Sequence, residues 1–176
     1  PWLAAIARAR RRPGRRPVSA AVPYRGLAAF QAEDAPWFFG REELTARLVA
    51  RVREPRDVPI VVVGPSGVGK SSLLRAGLIP ALADDGATVP PVTLLTPGAH
   101  PQAALDAAGE ARAVVVDQTE EVFTAGADAE ERHAFLSRLA GIAGAGTPVV
   151  LGLRADFYAA ALRERVLARS LQENQV

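Results

Sequence analysis

Hydrophobic positions along the chain fall into two alternating patterns: short unbroken apolar runs, and longer stretches with helical spacing. Residues 58–63 form the first run, nearly continuous as a strand covered on both faces must be. Similar runs lie at 91–96 (Val92, Leu94, Leu95), 112–117 (Val114, Val115, Val116) and 148–153. Between them the spacing is helical. After Gly40, Leu44, Leu48, Val49 and Val52 share one stripe, with Arg41, Arg47, Arg51 and Arg53 outside it. Leu73, Leu74 and Leu78 mark a second helix, which should end or kink near Ile79 because Pro80 lacks an N–H and clashes with the preceding turn. Further helices are predicted over 102–108, over 128–143 with Phe135, Leu136, Leu139 and Ile142 facing inward, and over 159–171. Asp84-Asp85-Gly86 reads as a turn, 144–147 as a loop, and the chain stops at Val176 where another strand would start. This alternation predicts βαβ crossovers and an α/β fold with a parallel sheet.

The first strand runs into Gly64-Pro65-Ser66-Gly67-Val68-Gly69-Lys70-Ser71-Ser72, and the pattern then turns helical. This is Gly-x-x-x-x-Gly-Lys-Ser between a strand and a helix, the P-loop (Walker A) signature in the context that supports it. A loop curling into a helix N-terminus offers convergent N–H groups and the positive end of a helix dipole to a triphosphate. Gly64, Gly67 and Gly69 allow the close approach, Lys70 adds a point charge, and the Ser71 hydroxyl is placed to ligate Mg²⁺. Lys70 is also the sole lysine in a chain whose other basic side chains are all arginine. The plainer reading, a glycine turn that happens to carry a lysine, does not explain that choice.

The run at 112–117 ends in Asp117, the Walker B arrangement, in which the carboxylate holds Mg²⁺ directly or through water. Gln118-Thr119-Glu120-Glu121 follows, and hydrolysis needs a carboxylate to orient and deprotonate water. Glu120 and Glu121 are the two candidates, of which one should act. The strand at 148–153 ends in Arg154, directed at the crevice where ligands bind in open α/β sheets. Arg154 either senses the γ-phosphate or pairs with Asp156 or Asp117.

Composition narrows the classes. The 176 residues suit one domain, and without cysteine neither a disulfide framework nor a thiolate metal site is available. His100 and His133 stand far apart, no apolar run reaches eighteen residues, and a cytoplasmic setting without membrane span is expected. The net charge of +2 conceals six arginines within the first sixteen residues, ahead of a mildly acidic body. Residues 1–22 read as a basic Arg/Pro-rich linker or the end of an upstream domain. The absence of aromatics among the arginines argues against a nucleic-acid-binding tail. Half of the ten aromatics instead cluster over 23–44, a segment suited to wall the nucleotide base.

Pro-Tyr-Arg-Gly-Leu at 23–27, Phe-Phe-Gly-Arg-Glu at 38–42, the P-loop at 64–72, Asp-Gln-Thr-Glu-Glu at 117–121 and Leu-Arg-Ala-Asp-Phe at 153–157 together resemble the novel STAND NTPase family, from Pro23 onward. The chain departs from the pattern at Thr119, where an aromatic is usual, and at Leu44, where related NTPases carry an acid. The resemblance implies a three-layer P-loop NTPase of the additional-strand type over 23–176, truncated before the last core strand and the winged-helix lid. It implies a slowly hydrolysing Mg-ATP switch flanked by an N-terminal effector or DNA-binding domain and C-terminal propeller repeats, with room for a nucleotide-dependent oligomer. Gly40 and Arg41 would then lie against the nucleotide, Arg154 would sense phosphate, and Glu120 rather than Glu121 would position water. Rival readings are a nucleotide-independent interaction module and a P-loop small-molecule kinase.

Overall fold

The computed structural model describes residue 26 and residues 28–83 and 91–176. The basic stretch 1–22, most of the 23–27 motif and the turn at 84–86 lie outside the described residues. The four apolar runs form strands β1 (Ile60–Gly64), β2 (Val92–Leu95), β3 (Ala113–Val116) and β4 (Val149–Arg154). All pair in parallel in the order β1-β4-β3-β2. At the far side of β1, Gln175 forms a parallel bridge with Val61, and Val176 exchanges backbone bonds with Val61 and Val63 at 2.9 and 3.0 Å. A single bridge and its flanking backbone bonds thus seat residues 174–176 along the edge of β1 opposite β4.

Helices connect the strands, as parallel pairing requires. They are α1 (Glu42–Arg53), α2, α3 (Pro101–Ala108), α4 (Glu121–Thr124), α5 (Ala129–Gly144), α6 (Tyr158–Ala161) and α7 (Arg165–Glu173). The composite α2 starts as Lys70–Ser72, widens into a π-helical stretch over Leu73–Leu78 and returns to α-helix over Ile79–Ala83. It does not end at Ile79. The Ile79 N–H reaches back to the Leu74 carbonyl, and this widened turn opens the space that the Pro80 ring needs against the preceding carbonyls. The pattern over 159–171 resolves into α6 and α7, separated by Leu162–Glu164.

Side chains alternate across the sheet and divide the core into two layers. Ile60, Val62, Val115 and Val150 pack under α1 and α2 with Leu48, Val52, Leu74 and Leu78. Val61, Val114, Val116, Leu151 and Leu153 face the opposite side, against Leu105, Phe135, Leu139 and Leu167 of α3, α5 and α7. This three-layer α/β/α packing explains why the strands read as unbroken apolar runs. It also sets the C-terminal ends of β1, β3 and β4 side by side, with Gly64 in register with Arg154. Among the described residues no helix is long and apolar enough to cross a membrane.

Candidate functional site

The loop from Gly64 to Gly69 leaves the end of β1 and enters α2 at Lys70, with Gly67 at φ 75° and Gly69 at φ 93°. These left-handed conformations favour glycine, and they bend the chain so that α2 begins at the sheet edge. Gly69 provides no side-chain cap to the helix, so its first amides remain available to an anion. The Lys70 Nζ folds back over the loop, donating to the Gly64 and Pro65 carbonyls at 2.7 and 2.8 Å. Burial pushes its pKa below the usual lysine value; the Glu120 carboxylate opposes this shift and the Arg154 guanidinium adds to it.

Asp117 follows β3 and is 1% exposed. Its Oδ1 accepts the Ser71 hydroxyl at 2.9 Å and the Gln118 N–H at 3.0 Å. Gln118 stands at φ 56°, the one positive-φ residue other than glycine among those described, at the turn that leaves Asp117 aimed at the P-loop. Glu120 is buried, and its Oε2 accepts the Arg154 backbone N–H at 3.2 Å. The Arg154 guanidinium lies 5.6 Å from the Phe157 ring and hydrogen-bonds Asp156, holding the Asp156 carboxyl below its usual pKa. Of the pairings considered for Arg154, the one to Asp156 is present here.

Ser66, Gly67, Gly69, Lys70, Ser71, Ser72, Asp117, Glu120 and Arg154 border a single cleft of about 670 Å³, closed on one side by Ala28–Phe30. Gly64, Pro65 and Val68 lie on the other flank of the loop, around a hollow of about 170 Å³ shared with Arg41 and Leu44. Arg41 donates to the Val68 carbonyl at 3.1 Å, and the Gly40 N–H donates to Glu42 Oε1 at 3.0 Å. Glu121 is not brought into the cleft. It opens α4, and its carboxylate accepts the Gly98 N–H at 3.0 Å, beside the end of β2. A groove of about 560 Å³ at the opposite end of the sheet, lined by Arg51, Arg56 and Pro148, contains none of the expected site residues.

Sequence reading missed Arg75, whose Nε donates to Asp117 Oδ2 at 2.8 Å, and Gln31, which accepts from Arg75 Nη1 at 3.2 Å. The spacing held a signal for Arg75. It follows Ser71 by four positions and so shares that residue's helix face.

A family model described as novel STAND NTPase 1 matches residues 23–176. The chain belongs to that family. No curated protein sequence matches this STAND NTPase chain. Among solved structures it is similar to AMPPCP-bound DnaA from Aquifex aeolicus, with a TM-score of 0.53 and 15% identity over 83% of this chain. The match spans 49% of that DnaA chain, so this STAND NTPase domain corresponds to about half its length. The likeness concerns the fold, and with the family assignment it identifies a P-loop NTPase module.

Proposed function

We propose that this chain is an Mg-ATP-binding, slowly hydrolysing switch module of a larger signalling or transcription-regulatory protein. The observation that carries the proposal is the gathering of P-loop amides, Lys70, Ser71, Asp117, Glu120 and Arg154 around one cleft. Its features suit a metal-bound triphosphate. Lys70 spends its donors on two loop carbonyls that a phosphate could replace, and the 2.9 Å Ser71–Asp117 contact supplies hard oxygen donors of the kind Mg²⁺ prefers. Adenine is favoured over guanine because a single lysine, already in the P-loop, leaves none for a guanine-reading Asn-Lys-x-Asp motif. The AMPPCP held by the similar DnaA structure supports the same ligand class.

In this reading the amides of Ser66–Ser72 and the Lys70 ammonium bind phosphate oxygens in the cleft that Phe30 borders, while the Gly40–Arg41 segment, on the other flank of the loop, lies against the nucleotide. Ser71 and Asp117 would hold Mg²⁺, which would supply positive charge against that of the phosphates. Glu120 orients the attacking water and accepts its proton. Arg154 exchanges Asp156 for the γ-phosphate, so the end of β4 reports whether that phosphate is present. Flanking domains would receive the report, with residues 1–22 as the connecting linker. Thermal unfolding with and without Mg-ATP tests the proposal. Ligand at a hundred times its dissociation constant should add about 2.7 kcal/mol, whereas a nucleotide-independent interaction module would unfold at one temperature in both conditions.

A further inference from the structure

Asp117 is gripped on both carboxylate oxygens. Oδ1 faces Ser71 at 2.9 Å, and Oδ2 accepts Arg75 Nε at 2.8 Å. The same guanidinium turns its Nη1 to Gln31 Oε1 at 3.2 Å. Gln31 is itself fixed in the segment that crosses α2: its N–H donates to Asp34 Oδ2 at 2.8 Å and its side-chain amide to the Ala29 carbonyl at 2.9 Å. Next to it, the Phe30 N–H donates to the Ser72 hydroxyl at 3.1 Å. A continuous hydrogen-bonded path thus runs from a carboxylate at the floor of the cleft, through Arg75, to the segment 28–38.

We infer that Arg75 is a positioning residue that couples occupancy of the Ser71–Asp117 site to the order of residues 28–38. The inference rests on the reading of that site as one for Mg²⁺ with nucleotide. A carboxylate as buried as Asp117 needs a compensating charge, and Arg75 supplies it. A divalent cation brought to Oδ1 is a second positive charge competing for the same carboxylate, and it weakens the hold on Arg75. Loosening Arg75 loosens Gln31, so the segment responds to the metal and not merely to the nucleotide. Only a planar, forked cation can serve both partners. A lysine ammonium would neutralise Asp117 without spanning to Gln31.

Amide hydrogen exchange over residues 30–38 of the full chain tests this, with saturating ATP in EDTA compared with saturating ATP in magnesium. In the wild type, magnesium should speed exchange there by about threefold or more. In Gln31→Ala and in Arg75→Lys, exchange should already be fast in EDTA and should not change with magnesium. Saturable binding of a fluorescent ATP analogue in EDTA shows that Gln31→Ala is folded and loaded in the exchange experiment. Gln31→Ala keeps the test open should Arg75→Lys fail to fold. Exchange in the wild type that is unchanged or slowed by magnesium, or variants that respond as the wild type does, would overturn the coupling while leaving nucleotide binding intact. A wild-type chain that binds no ATP, with or without magnesium, would overturn the functional reading and this coupling together.

Discussion

Glu120 Oε2 accepts the backbone N–H of Arg154 at 3.2 Å, joining the acid after β3 to the residue that ends β4. That bond fixes one carboxylate oxygen at the junction of the two strands, inside the cleft that Lys70 and Ser71 also line. Glu121, one residue later, points to Gly98 instead. Adjacent acids of the same type thus occupy different places because α4 starts between them.

The first prediction follows from that difference. Glu120→Gln should leave ATP affinity near the wild-type value and slow turnover by about a hundredfold or more, the scale of a lost general base. Glu121→Gln should turn over at close to the wild-type rate and lose about 1 kcal/mol of stability through the weakened Gly98 contact. Single-turnover hydrolysis of labelled ATP, alongside equilibrium binding, separates the two.

Asp156 gives a prediction in pH. The hydrogen bond from Arg154 lowers its carboxyl below the reference value of 3.8. A group whose folded pKa is depressed contributes stability that is fully present above the unfolded value and is lost as pH falls through the folded one. The stability gap between wild type and Asp156→Asn should therefore be constant from about pH 5 to 8 and close below about pH 4. Urea unfolding across that range measures it. The same substitution frees Arg154 and should tighten ATP binding by up to about fivefold, as expected for release from an exposed ion pair.

Gly152 on β4 tests how closely the sheet and α2 approach beneath the site. A Cβ there would come 2.8 Å from Leu74 Cδ1 and 3.6 Å from Asp117 Oδ1. Gly152→Ala should destabilise the fold by about 1–3 kcal/mol through overpacking. Because Leu74 is fully buried and Asp117 lies on the same side, ATP affinity in magnesium should fall more than affinity in EDTA. Equal losses in the two conditions would show that Asp117 is not displaced.

Much of the fold and of the cleft was legible in the residues themselves. Strands buried on both faces must be apolar throughout, so Val61–Val63, Val114–Val116 and Val149–Leu151 announced a covered parallel sheet. The P-loop spacing announced the turn into α2, and Asp117 announced its own strand end. What stayed hidden depended on side chains meeting across the fold. The partnership of Arg75 with Asp117 and Gln31 joins three distant parts of the chain. The diversion of Glu121 depends on where Gly98 falls after β2. Pro80 marked where the regular helix is disturbed, but the π-helical turn before it, which lets the helix continue, is a backbone adjustment that residue pattern does not encode. The pairing of Asn174–Val176 with β1 involves too few residues to register as a strand in sequence.

Isothermal titration calorimetry of the full chain with magnesium and ATP asks whether the Lys70 cradle grips a metal-bound triphosphate. Saturable, one-site heat is expected for the wild type and for Glu120→Gln, and none detectable for Lys70→Ala. Flat titrations with the folded wild-type chain, or an isotherm for Lys70→Ala that matches the wild type, would contradict such a grip.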